Sequence, residues 1–118
     1  GWRGRSQSLG IADAVTVLAG SAATADAAAT LIANDVNVYY PGILKRPASE
    51  VKDESDLGML PVTVDVPPLP VDQISEALKR GAQTAGNFIR TGKIEAAYLS
   101  LQKQTLVVEN NLKKESNE

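Results

Sequence analysis

The 118-residue chain contains no cysteine and no histidine. That excludes disulfides, thiol nucleophiles, Cys/His zinc centres and any histidine-based triad within the chain. It carries no information on redox compartment. Aromatic residues make up only 4%, which leaves few platforms for stacking bases. No apolar run approaches the ~20 residues that span a bilayer. No secretory signal is present, and the cytoplasm is the expected compartment. Net charge is −2, so neither nucleic acid nor an anionic membrane is an expected partner.

What remains is ordinary globular material, 43% hydrophobic and 22% charged, of a length suited to one domain. Residues 1–109 carry the patterned sequence. Residues 110–118 are polar, and a disordered tail is expected there. The chain opens Gly1-Trp2-Arg3-Gly4-Arg5 without a methionine. Such a start reads as the interior of a longer protein or as a mature chain made by cleavage. The expected partner is then the complementary N-terminal polypeptide of the same protein, with a homo-oligomer as another possibility.

Leu9, Ile11, Val15 and Val17 alternate with Ala12, Ala14, Thr16 and Leu18, so a strand buried on both sides is predicted, ending at Gly20. Ser21 is a helix N-cap, and the alanine-rich run from Ala22 to about Asn34 follows it as a helix. Tyr39-Tyr40-Pro41-Gly42 is a turn. Residues 36–58 read as an irregular excursion with at most one helical turn near 48–51. Leu60, Val62, Val64 and Val66 share one face of a half-buried strand, which Pro67-Pro68-Leu69-Pro70 stops.

Val71, Ile74, Leu78, Ala85, Phe88 and Ile89 form the stripe of a second long helix, with Gly92 as its C′ residue. Gly81 and Gly86 each cost this helix about 1 kcal/mol against alanine, which suggests close packing. Residues 94–101 and 104–109 make a hairpin turning at Gln102-Lys103. The expected fold is α+β, with two helices on a mainly antiparallel sheet in the order β-α-(loop)-β-α-β-β.

The strongest chemical constellation is Asp26 and Thr30, four apart and therefore on one helix face. A carboxylate and a hydroxyl one turn apart are two hard oxygen ligands of the kind Mg²⁺ accepts beside waters or phosphates. The alternative is an exposed Asp and a Thr bonded to its own helix carbonyl. Arg3, Arg5, Ser6 and Ser8 form a second group, suited to a phosphate or carboxylate. Ser6 or Ser8 as a nucleophile would need a base, and Lys45, Lys93 or a partner chain would have to serve. Asp13 stands in an apolar strand and calls for a partner, from Arg5 or a helix N-terminus. The aromatics read as packing residues, with Tyr39-Tyr40 able to line a pocket or an interface.

Asp13-Ala14-Val15-Thr16-Val17-Leu18-Ala19, followed by Ala25-Asp26-Ala27-Ala28-Ala29-Thr30-Leu31, resembles the late segment of the flavin transferase (ApbE) family. That family has a Val-Thr-Val strand and then a helix with Ala-Asp-Ala-x-x-Thr. The closer resemblance is to an uncharacterised ApbE-related family of bacteria and archaea. Gly4 to Ser6, Ser8 to Val17, Arg46-Pro47-Ala48, Ser55-Asp56-Leu57-Gly58 and Val62 to Val66 carry it. It extends over roughly residues 3–109 and implies the C-terminal part of an ApbE-like domain.

The resemblance also implies that Asp26 and Thr30 hold Mg²⁺ and that the ligand is FAD or FMN. The family's His-x-x-Asp-Pro-x-Thr/Ser-Gly segment is replaced here by Gly4-Arg5-Ser6-Gln7-Ser8, and the flavin-binding N-terminal portion lies outside this chain. Fold and metal pair therefore transfer better than the transfer reaction. The expected function is Mg²⁺-dependent binding of a flavin, nucleotide or other small anionic ligand, with Arg3, Arg5, Ser6, Ser8 and Asp13 on the anion. The alternatives are a non-catalytic scaffold or subunit completed by another chain, and a hydrolase or lyase whose nucleophile lies outside this chain.

Overall fold

A computed structural model describes residues 1–4, 7–53 and 55–110. The predicted tail from 111 onward lies outside the described residues. The fold is α+β, as the pattern predicts, with eight elements: β1 (Ala14–Leu18), α1 (Ala22–Asp35), β2 (Leu44–Pro47), α2 (Ala48–Val51), β3 (Pro61–Asp65), α3 (Val71–Arg90), β4 (Ala96–Leu101) and β5 (Gln104–Glu109).

There are two antiparallel sheets rather than one. The first has the order β1-β4-β5 and the second pairs β2 with β3. The central strand β4 takes β1 on one side, with Thr16 opposite Tyr98, and β5 on the other, with Tyr98 opposite Val107. Val15, Leu99 and Leu106 align across the inner face, as do Val17, Ala97 and Val108, and these rows meet the helices. Ile32 and Ala28 of α1 and Ile74, Ala77, Leu78 and Ala85 of α3 complete the core.

β1 departs from its predicted environment. It is covered on one side only: Ala14, Thr16 and Leu18 face outward, and Leu18 is 53% exposed. Both helices pack on the opposite face, so this row has nothing to bury it. Asp13 is likewise exposed rather than buried in the strand. The excursion also holds more order than predicted. Leu44–Pro47 is a strand paired with Pro61–Asp65 through a register shift between Leu44 and Lys45. The helical turn at Ala48–Val51 stands where expected.

The helix ends follow local chemistry. Ser21 Oγ accepts from Thr24 N at 3.1 Å and caps α1. Thr91 caps α3, and Gly92 follows with φ +75°. Leu31 and Val71, apolar in the sequence pattern, are exposed at 52% and 68%. The buried row of α3 runs instead through Gly81. A Cβ there would overlap Val36 Cγ2 and lie 2.8 Å from Leu99 Cδ2. Only glycine lets α3 sit this close to α1 and β4.

Candidate functional site

Asp26 and Thr30 lie on the outer face of α1, where 14 residues of mostly small side chain follow the Ser21 cap. One helical turn separates them, so both point the same way. Thr30 Oγ1 donates to the Asp26 backbone carbonyl at 3.1 Å. That spends the hydroxyl proton on the helix and leaves the oxygen lone pairs outward. The Asp26 carboxylate has no hydrogen-bond or ion-pair partner among the described residues.

Both residues border a cavity of about 180 Å³ that also takes in Gln7, Ser8, Val15, Ala29, Ala33 and Asn34. Alanines 29 and 33 keep the wall low, which is what an alanine-rich helix provides. Asn34 completes a row at i, i+4 and i+8 with Asp26 and Thr30. In sequence Asn34 reads as a helix stop, yet the spacing that joins Asp26 to Thr30 extends to it. Gln7 has no comparable signal, because it comes from a distant segment.

The Ser8–Ile11 segment is fastened to the end of α1. Asn34 Oδ1 accepts from Leu9 N at 3.0 Å and from Ser8 Oγ at 3.4 Å. Ser8 Oγ accepts from Gly10 N at 3.1 Å, and Ile11 N donates to Val36 O at 2.8 Å. On the other side, Thr63 N donates to Ser8 O at 2.9 Å and Thr63 Oγ1 to Gly10 O at 2.6 Å. Ser8 is 6% exposed. Its hydroxyl therefore holds the cavity floor, and Lys45 bonds the Leu9 carbonyl rather than Ser8 Oγ.

Arg3 and Asp13, also predicted as anion ligands, do not line this cavity. Arg3 lies over the Trp2 ring, 4.9 Å from its centroid. Together with Asp13, Gln102 and Lys103 these residues line a separate cavity of about 450 Å³. Asp13 Oδ2 accepts from Gln102 N, so among the described residues its partner is a hairpin turn rather than a helix N-terminus. Arg5 and Ser6 lie outside the described residues. Among the described residues no three acidic side chains gather around a common point. Asp26 is thus the carboxylate of its cavity, with hydroxyl and amide oxygens around it.

The third cavity, of about 600 Å³, opens between the Asn37–Lys45 segment and Arg80 of α3. Lys45 is partly buried there, and desolvation lowers its pKa. No helix among the described residues is long and apolar enough to cross a membrane.

A family model described as AbpE bacteria matches residues 1–109. No curated protein gives a significant match, and no solved structure does.

Proposed function

The chain belongs to the AbpE bacteria family, and from that premise we propose that it binds a phosphate-bearing ligand, a flavin or another nucleotide, through Mg²⁺ held at Asp26 and Thr30. The carrying observation is the pair itself: a carboxylate without a partner among the described residues and an outward hydroxyl oxygen, both bordering a small polar cavity. The donor set fits the ion. Mg²⁺ takes one or two carboxylates, keeps several waters and shares substrate phosphates, whereas a calcium cage would need more protein oxygens.

Bound there, the ion would supply positive charge to offset phosphate charge. Asp26 provides the counter-charge and Thr30 a neutral oxygen. Ser8 and Asn34, tied to one another and to the backbone of residues 9–10, hold the cavity beside the pair. A space of about 180 Å³ is below the size of a whole-ligand pocket, typically 300–1,000 Å³. It suits the phosphate end of a ligand whose remainder lies outside. The resemblance to flavin transferases makes FAD and FMN the first ligands to test, and relation to that activity is part of this proposal.

Calorimetric titration with MgCl₂, alone and with FAD, tests the reading. Saturable, Mg²⁺-dependent binding that is lost in Asp26→Ala supports it. Binding that is absent, or unchanged in that variant, overturns it.

The outward face of the three-stranded sheet favours a second reading, a scaffold or subunit covered by another chain. Leu18, Tyr98 and Val107 are 53%, 43% and 47% exposed there, and Tyr98 lies in register between Thr16 and Val107. Sedimentation of native material tests it: a stable monomer of this mass would count against it.

A further inference from the structure

The cavity between the Asn37–Lys45 segment and Arg80 lies away from Asp26 and is built from different chemistry. Val38, Tyr40, Pro41 and Ile43 give it an apolar lining, and Asn37 and two cationic side chains, Lys45 and Arg80, a polar one. Among the described residues no acidic one lines it. The loop that shapes it is a closed turn: Ile43 N donates to Tyr40 O at 3.2 Å, and Gly42 has φ +97°. Proline followed by a residue at positive φ is the requirement of a type II turn, so this wall stands without a ligand. Tyr39 also lines it and is 98% exposed.

The cations come from two elements. Lys45 is on β2, and its ammonium donates to the Leu9 carbonyl. It has no carboxylate partner among the described residues. Arg80 is on α3, where Nη1 reaches the Asn37 carbonyl at 3.4 Å and Nε pairs with Glu76 at 3.5 Å. Both side chains of that pair are more than half exposed, so it binds the guanidinium only weakly. Asn37 Oδ1, in the same wall, is buried without a hydrogen-bond donor.

We propose that this cleft is a second ligand site, for a small phosphate monoester carried on a ring. The apolar walls take the ring, with Tyr39 free to close over it. Lys45 and Arg80 take the phosphate. Two cations without a lining carboxylate match a group of about two negative charges better than a single carboxylate does. An anion next to Lys45 also offsets the desolvation its ammonium now suffers.

The test is an amide and guanidinium NMR titration of the whole chain with phenyl phosphate, in Mg²⁺-free buffer with a chelator. Inorganic phosphate and benzyl alcohol are titrated in parallel. Absence of Mg²⁺ separates this result from the fate of the Asp26 site. The expected result is saturable shifts confined to residues 37–45 and Arg80. Phenyl phosphate should bind about tenfold more tightly than either half alone, and Arg80→Gln should weaken it by about the same factor. Lys45→Met should do likewise; if that variant fails to fold, Arg80→Gln decides. Three results overturn the proposal: no saturable shift, equal binding of benzyl alcohol and phenyl phosphate, or unchanged affinity in Arg80→Gln.

Discussion

Asp13 Oδ2 accepts a 2.7 Å hydrogen bond from the backbone N–H of Gln102, 89 residues along the chain. The bond reaches a turn that its own residues do not favour. Gln102 and Lys103 both have positive φ, at 45° and 71°, a geometry that hairpins usually give to Asn-Gly. Gln102 also fastens the proline-rich segment, accepting from Leu69 N and donating to Pro67 O, each at 2.8 Å. The turn is thus held from outside by Asp13 on one side and residues 67–69 on the other. Asp13→Ala should cost about 1–2 kcal/mol in chemical denaturation, the range for a charge-assisted bond lost at a surface.

Lys103 tests the same account from the opposite direction. A lysine at φ +71° pays a backbone penalty that glycine does not. Lys103→Gly should stabilise the protein by about 1 kcal/mol, read as a shift in denaturation midpoint. A loss of stability would show that the turn is relaxed as it stands.

Gly81 and Gly86 sit in one helix and should respond with opposite signs. A Cβ at Gly81 runs into Val36 and Leu99, whereas at Gly86 the nearest atom is the flexible end of Arg90, 3.3 Å away. Gly81→Ala should destabilise by about 1–3 kcal/mol through overpacking. Gly86→Ala should gain up to about 1 kcal/mol from helix propensity. Thermal denaturation of the two variants side by side checks the contrast.

These cases also show where sequence was legible. Ser21, Gly92, the stripe of α3 and the hairpin are local signals, and each acts within a few residues of itself. β2 was not legible because Leu44-Lys45-Arg46-Pro47 has no apolar alternation; its pairing with β3 and its register shift are non-local. The burial of β1 was misread because Ala14, Thr16 and Leu18 are compatible with either environment. The Asp26–Thr30 juxtaposition follows from helix periodicity alone. The cavity beside it does not, since it depends on long-range bonds from Ser8 to Asn34 of α1 and from Gln7 to Ala48 of α2.

Lys45 gives a pH dependence with a defined sign. Burial lowers its pKa from the ordinary value of 10.5, so the unfolded chain holds this proton more tightly than the folded one. Below the folded value both states are protonated and the desolvation cost is constant. As pH rises through the folded value toward 10.5, the folded state sheds the charge first, and stability increases. Denaturation midpoints from neutral pH to about pH 10 should therefore rise relative to Lys45→Met, which lacks the titrating group.

Thr30 separates a ligand from a helix residue. Its hydroxyl already bonds the Asp26 carbonyl, so a purely structural threonine would be replaced by valine at little cost. Thr30→Val keeps the branched shape, and its effect on the denaturation midpoint should stay within about 1 kcal/mol. If the oxygen also faces the ion, the same change removes a metal ligand, and Mg²⁺-dependent binding of FAD should fall about tenfold or more. Thr30→Ser, which retains the oxygen, should recover most of that affinity. Calorimetry on the three proteins, with thermal denaturation as the control, distinguishes the roles. Equal Mg²⁺ affinity across the series would assign Thr30 to the helix alone.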